Sequence, residues 1–528
     1  MRPFDDRGVF QPGSDEGALR VLAVRAAGIT ALSQGQKIVT QMIGTIVLAR
    51  LLTPADFGLL AMVTTFSLLL MNFGLNGFTE AVVQRDTIDH ALASNLFWIN
   101  TAISLALAIL FGAGGPLLAR LYADPRLTGV ALAMALTIVL TGLSVVHLAL
   151  LKRAMRFGAV SFNDITAQAI AVIVSIVLAW RGWGYWALVA GAVVLPLATS
   201  AGAWVLCSWV PGRPRRQEGT AASARFALTT YARFAMNYST RNLDNLLVGW
   251  FFGPQSLGFY KKAYDLFLLP VSQLSTPLYA VAVPTLSRLI DDPDRYRRYV
   301  LRILSTVAFV SMGLGGAMTL IGRDVILLLL GPAWEPAGKI FMFFGPGIGV
   351  MLIYITHGWI HLSLGRADRW FRWGIAELIA TALLFGLGLR WGPVGIAGAW
   401  VVSFWVLTIP ALYYASEPAQ LGVAALVGAV WKYAIASALA GCASAAFIWR
   451  VPVFAVGSEP IPTAGRIAEI SALFGALYLA AVILLHGGTV PLHEIADLVR
   501  DAVARRQQSR SGPGLRAAFS TKERALVP

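Results

Sequence analysis

The chain has 528 residues, of which 57% are hydrophobic and only 13% charged, with a mean hydropathy of +0.68 and a formal charge of +15. Soluble globular domains carry about 25% charged residues, so so much apolar surface with so little polar cover excludes a water-soluble protein. Apolar runs of about 18 residues or more, each long enough to cross the hydrocarbon layer as a helix, point to an integral membrane protein.

In chain order, the pattern predicts an all-α protein of about fourteen transmembrane helices. Six lie near 29–49, 58–78, 93–117, 127–150, 160–180 and 185–208, and six near 227–251, 257–285, 300–322, 336–362, 371–389 and 394–415. Two more follow near 425–448 and 468–486. The runs are long and lack period-2 alternation, which argues against a barrel. Residues 1–28 read as a cytoplasmic N-terminal segment with a candidate interfacial helix at Ala18–Gly28, and nothing there resembles a cleaved signal peptide. Residues 488–528 read as a cytoplasmic tail, first amphipathic and then Ser/Gly/Arg-rich and disordered. Cys207 and Cys442 both fall in apolar spans, so no disulfide framework is expected.

With both termini in the cytoplasm, 27 of the 42 Lys and Arg fall on the inner side and eight in the outer loops. That asymmetry is the positive-inside pattern. It accounts for the basic charge without a nucleic-acid partner.

The chain also echoes itself. "RLLTPADFG" (Arg50–Gly58) links spans one and two, and "WFFGPQSLG" (Trp250–Gly258) links spans seven and eight. "HLALLKR" (His147–Arg153) and "HLSLGRA" (His361–Ala367) close spans four and ten, and "GWGYWALVAGAVV" and "RWGPVGIAGAWVV" open spans six and twelve. The offset is six spans each time. An even offset keeps both copies in one orientation, so the expected architecture is a parallel repeat with a substrate site between two lobes. The expected domains are an N-lobe at 29–220, a C-lobe at 221–417 and a helix pair at 418–487.

Polar residues in the spans then mark a candidate cavity. Ser33, Lys37, Thr40, Gln41 and Gly44 share one helical stripe on the first span, and Asn237, Thr240, Arg241, Asp244 and Asn245 share another on the seventh. Such stripes also join helices through hydrogen bonds. Cations at mid-membrane are costly enough to favour a cavity for an anionic cargo, with Lys37 as the main unpaired cation if Arg241 and Asp244 neutralise each other. Lys261, Lys262 and Asp265 on the eighth span form either a cargo contact or a local ion pair. Arg50 opens toward the same cleft or anchors its turn. Asp244, Asp265 and Glu377 are candidates for ion coupling, whereas Glu80 and Asp164 read better as solvated interface carboxylates. His357 and His361 have a metal-like i, i+4 spacing, but no Cys or carboxylate stands near them in sequence, and no metal or cofactor is expected. Pro270, Pro277 and Pro284, and the segment "FFGPGIG" (Phe343–Gly349), are expected to bend or break their helices.

The segments "ARLLTPADFGLLAMV", "FGLNGFTEAVVQRD", "HLALLKRAMRFG", "GYWALVAG" and "NLDNLLVGWFFGPQSLGFYKKAYDLFLLP" resemble the Wzx/WzxC-type polysaccharide exporters of the MOP superfamily over roughly residues 25–415. The resemblance implies two six-helix lobes with two added C-terminal helices. It implies a non-enzymatic flippase of the bacterial inner membrane that moves undecaprenyl-pyrophosphate-linked oligosaccharide from the inner to the outer leaflet, driven by an ion gradient. Polysaccharide polymerase and co-polymerase proteins would be its partners. The alternatives are a drug/cation antiporter of the same superfamily, a non-transporting scaffold, and a membrane polymerase or glycosyltransferase. The last fits poorly, because the longest outer loop, near 449–467, holds a single carboxylate, Glu459.

Overall fold

The computed structural model describes residues 3–5, 8–10, 16–83, 85, 87–215, 219–450 and 460–489. The C-terminal tail from residue 490, and residues 451–459 of the loop that holds Glu459, lie outside the described residues. Among the described residues the chain is helical, with only two isolated β-bridges, Phe4 with Phe10 and Val9 with Asp89. The helices are α1 (Glu16–Leu51), α2 (Pro54–Phe73), α3 (Thr79–Val83), α4 (His90–Ala113), α5 (Gly115–Leu121), α6 (Arg126–Arg153), α7 (Phe157–Trp180) and α8 (Tyr185–Cys207). They continue as α9 (Thr220–Arg288), α10 (Pro293–Leu330), α11 (Glu335–Ser363), α12 (Ala367–Gly388), α13 (Gly392–Ser416), α14 (Val423–Arg450) and α15 (Pro460–His486).

Eleven helical stretches of the described residues are long and apolar enough to cross a membrane, and the protein is a multi-pass membrane protein. The eleven do not map one to one onto single crossings. One stretch, Arg241–Arg288, passes through a break, and another, Asp368–Ala419, holds both α12 and α13. The α9 break sits at Gly253, with φ 78° and ψ −179°. Only glycine takes that conformation without strain, so it splits α9 where the second echo begins. The matching turn of the first echo is set by its own letters. Thr53 and Asp56 form a reciprocal capping box around Pro54 at the first turn of α2, the arrangement that "TPAD" favours.

One expectation needs correction. Ala18–Gly28 is no separate surface helix, because α1 runs unbroken from Glu16. The prolines do not interrupt their helices: α9 stays helical through Pro270, Pro277 and Pro284, and α11 through Pro346. Hydrogen bonds freed by proline in a membrane helix are re-satisfied locally. The glycines of "FFGPGIG" serve contact instead. A Cβ on Gly345 would lie 2.4 Å from Thr319 Oγ1, and one on Gly315 would lie 2.8 Å from the Gly349 nitrogen. α10 and α11 therefore pack nearly backbone to backbone, as small residues permit in membranes.

The chain divides into two compact units. One comprises Met1–Leu269, Gly322–Phe344 and Arg372–Ser403, and the other Pro270–Ile321, Gly345–Phe371 and Phe404–Pro528. In the first, a core around Leu96, Phe97, Val145, Val146 and Cys207 holds α4, α6 and α8 together.

Candidate functional site

Within the first unit the two echoed phrases touch each other, and they do so reciprocally. A Cβ built on Gly58 of α2 would lie 1.6 Å from the carbonyl oxygen of Pro254, and one on Gly258 of α9 would lie 1.8 Å from the carbonyl oxygen of Pro54. The partners of each pair are matched positions of the repeat: Pro54 answers to Pro254 and Gly58 to Gly258. Neither glycine can carry a side chain while this contact holds.

Side chains reinforce the junction. Trp334, fully buried in the turn after α10, donates from Nε1 to the Ala49 carbonyl at 2.9 Å. Its ring makes edge contacts with Phe57 of the first echo, at 5.3 Å between centroids, and with Phe259 beside the second, at 6.1 Å. Arg50 donates to the Leu328 carbonyl at 2.7 Å and to that of Leu329 at 3.4 Å. These are end carbonyls of α10, which lack partners within the helix and attract a cation. Lys262 Nζ stands 4.3 Å from the centroid of the Phe57 ring. Arg50 thus ties the turn to α10 through two of its five donors.

The polar stripes behave unequally. On α1, Lys37 Nζ lies 3.7 Å from Asp164 Oδ2 of α7, each side chain being 39% exposed. Lys37 is therefore not the unpaired cation expected. Gly44 would meet Val172 Cγ1 at 2.9 Å with a Cβ added, so this stripe packs against α7, while Gln41 stays exposed. On α9 the side chains of Asn237 and Thr240 lie outside the described residues. Arg241 is exposed and makes no hydrogen bond or ion pair among the described residues. Asp244 and Asn245 are fully buried instead. Asp244 Oδ2 accepts from the Tyr260 hydroxyl at 2.8 Å and Oδ1 from the Asn245 amide at 2.7 Å. Arg241 and Asp244 do not neutralise each other. Lys261 and Asp265 form the local i, i+4 ion pair, and Glu377 is half-buried on α12. Among the described residues no group of three or more His, Cys, Asp and Glu could hold a metal.

A family model described as "Polysaccharide biosynthesis protein" matches residues 47–339, more than half of the chain and all of the junction just described. The chain belongs to this family.

Relatives of the polysaccharide biosynthesis family share low identity over most of its length. The succinoglycan biosynthesis transport protein ExoT of Rhizobium meliloti is 23% identical over 71% of this chain and 76% of its own. The teichuronic acid biosynthesis protein TuaB of Bacillus subtilis is 23% identical over 62% of this chain and 68% of its own. The lipopolysaccharide biosynthesis protein WzxC of Escherichia coli is 20% identical over 70% and 76% respectively. Among solved structures, the lipid II flippase MurJ in an inward closed conformation superposes with a TM-score of 0.67 at 13% identity, covering 87% of this chain and 100% of its own. An inward-facing multidrug resistance MATE transporter of the MOP superfamily gives 0.57 at 11% identity, covering 73% and 94%. At such identities the likeness establishes the fold alone, and the chain folds as these two proteins do.

Sequence reasoning missed Trp334, Phe57, Phe259 and Tyr260. Signals for three of them were present: Trp334 stands in "GPAW", a turn between spans, and Phe57 and Phe259 flank the glycines of the two echoes. Tyr260 had none, because it acts through Asp244, sixteen residues away on the other limb of α9.

Proposed function

We propose that the protein is a flippase that carries a lipid-pyrophosphate-linked oligosaccharide from the inner to the outer leaflet of a bacterial inner membrane by alternating access. The observation that carries this reading is the reciprocal Pro–Gly junction between the two copies of the echoed phrase. The placement of Lys and Arg makes this end of the first unit the outer one, so the junction is a closed outer gate at the ends of two lobes, 29–220 and 221–417, whose parting opens the outward path. Both termini are then cytoplasmic. The relatives named for succinoglycan and lipopolysaccharide biosynthesis support a saccharide cargo.

The physical task is to move a doubly charged headgroup past hydrocarbon while its isoprenoid tail stays in lipid. Lys37, Gln41 and Arg241 supply polar contacts for it. A half-exposed ion pair such as Lys37–Asp164 contributes only about 0–1 kcal/mol, so a pyrophosphate can draw Lys37 away at small cost. Arg241, which has no hydrogen-bond or ion-pair partner among the described residues, is available at once. Asp244 is too buried to meet the cargo, and with Glu377 it is the carboxylate we assign to the coupling ion; Asp265 is engaged by Lys261. The protein acts as a transporter rather than an enzyme, beside polymerase and co-polymerase proteins that consume the flipped unit.

The test is deletion followed by leaflet-resolved labelling of the lipid-linked sugar in a strain lacking redundant flippases. Labelled sugar should accumulate on the cytoplasmic side. Unchanged appearance on the outer side would refute the assignment.

A further inference from the structure

Within the second unit, α9, α10 and α11 enclose a furrow of about 150 Å³, lined by Leu278, Val281, Ala282, Ile303, Val307 and Trp359. Its wall is almost wholly apolar, and none of the residues assigned to the cargo lines it. Such a volume holds roughly five methylene-sized groups, taking about 30 Å³ for each. One end is basic. Tyr299 and Arg302 close the lining, and Arg295, Arg298 and Arg302 follow at i, i+3 and i+7, on one side of the first turns of α10.

The charges around this end decide what it can take. Asp292 and Asp294 are engaged by Arg295 and Arg297, at 3.9 and 3.6 Å. Arg297 is further held by the Ala419 carbonyl and Gln420. Arg298 and Arg302 are exposed, and neither side chain has a hydrogen bond or ion pair among the described residues. Two unspent guanidiniums beside an apolar slot match a phosphate joined to a hydrocarbon chain. Tyr299 and Trp359 flank the slot, as aromatic residues do at headgroup depth.

We propose that this furrow is a binding site for an anionic glycerophospholipid, with one acyl chain between α9 and α10 and its phosphate on Arg298 and Arg302. The site shares no residue with those assigned to the cargo. The bound lipid fills the furrow and supplies the counter-charge that the protein does not.

The test uses the full-length chain, purified in detergent and stripped of lipid, with retained lipid measured by native mass spectrometry. Phosphatidylglycerol should be retained at least tenfold better than phosphatidylcholine of the same chains. The double variant Arg298→Gln/Arg302→Gln should lose that preference, while Arg225→Gln, an exposed arginine on the first limb of α9, should keep it. Shortening both acyl chains to two carbons should weaken retention about tenfold, because the furrow is then left almost empty. Equal retention of the two lipids, an unchanged double variant, or indifference to chain length would each overturn the proposal. Displacement of phosphatidylglycerol by an isoprenyl phosphate at a lower concentration would give the furrow to the cargo and overturn it as well.

Discussion

Replacing Gly58 by alanine tests the gate directly. The added Cβ would sit 1.6 Å from the Pro254 carbonyl oxygen, whereas a carbon–oxygen contact settles near 3.3–3.6 Å. The obstacle is backbone, not the tip of a flexible side chain, so the two segments must separate by about 2 Å or distort. Overpacking of this kind costs about 1–3 kcal/mol. That cost falls only on the closed state, because the contact is absent once the phrases part. A differential of that size shifts an equilibrium by roughly 5- to 150-fold. With the native cysteines Cys207 and Cys442 replaced, spin labels at Leu51 and Gln255, both exposed beside the junction, would report the distance between the two phrases by pulsed EPR. Gly58→Ala should transfer population to longer distances, and Gly258→Ala, at 1.8 Å from Pro54, should do the same. The double variant should add little to either single one, since a gate already parted no longer feels the second clash. A distance distribution for Gly58→Ala identical to the parent, in protein that is inserted and folded, would refute the reasoning.

Three further outcomes follow from the same geometry. Lys37→Ala and Arg241→Ala should each lower surface polysaccharide several-fold at unchanged protein level, and wild-type output from both would remove the basic path. Asp244→Asn keeps the shape and an acceptor for Tyr260 but removes the charge, so ion-driven transport should fall at least tenfold while cargo binding, measured by lipid-linked sugar co-purifying with the protein, holds; parallel loss of both would make Asp244 a structural residue only. Outside the spans, the hydrogen bond from Arg126 holds the Asp124 carboxyl below its ordinary range. A lowered carboxylate pKa gives stability that is present above the unfolded value, near 4, and is lost as pH falls through the folded value, so thermal stability should drop more between pH 5 and 3 in the parent than in Asp124→Asn.

Much of this was legible in the letters. Span lengths, the capping box in "TPAD" and the family resemblance rest on composition and short-range spacing, which a sequence displays in full. The echo marked the junction, because proline and glycine recur at matched positions. It did not say that Gly58 would meet Pro254 rather than its own neighbours, since that pairing joins segments two hundred residues apart. Stripe reasoning failed at Arg241 and Asp244 for a related reason. Helical spacing gives a shared face about 100° wide, yet the second limb of α9 covers only part of it. Tyr260 and the buried wall take Asp244, and Arg241 stays exposed three residues away. "FFGPGIG" does not interrupt α11, and between membrane helices its glycines permit backbone approach.

The symmetric and asymmetric parts of the junction have separate roles. Pro54–Gly258 and Pro254–Gly58 are alike in both lobes and set how closely the phrases approach. The groups that resist parting belong to one copy only: Arg50 answers to Trp250, an exposed ring in tilted contact with Phe251, and among the described residues no second lysine repeats the placement of Lys262 over Phe57. Opening the gate must release one Trp334 hydrogen bond, about 0.5–1.5 kcal/mol, and one cation–π contact, about 0.5–2 kcal/mol. It must also release the Arg50 bonds to α10, about 1 kcal/mol once their exposure to solvent is discounted. The sum, roughly 2–4.5 kcal/mol, is comparable to the roughly 5.5 kcal/mol that carries a two-state element from 1:99 to 99:1. One elementary charge crossing 100 mV supplies about 2.3 kcal/mol. Under the proposed ion-driven function, one or two ions moving inward suffice to open a gate of this strength, so weakening it should lower the voltage that transport requires. Trp334→Phe, which keeps the ring packing and drops the bond to Ala49, is the variant in which to measure that threshold. An unchanged threshold, with protein folded and active, would place the rate-limiting barrier away from this gate.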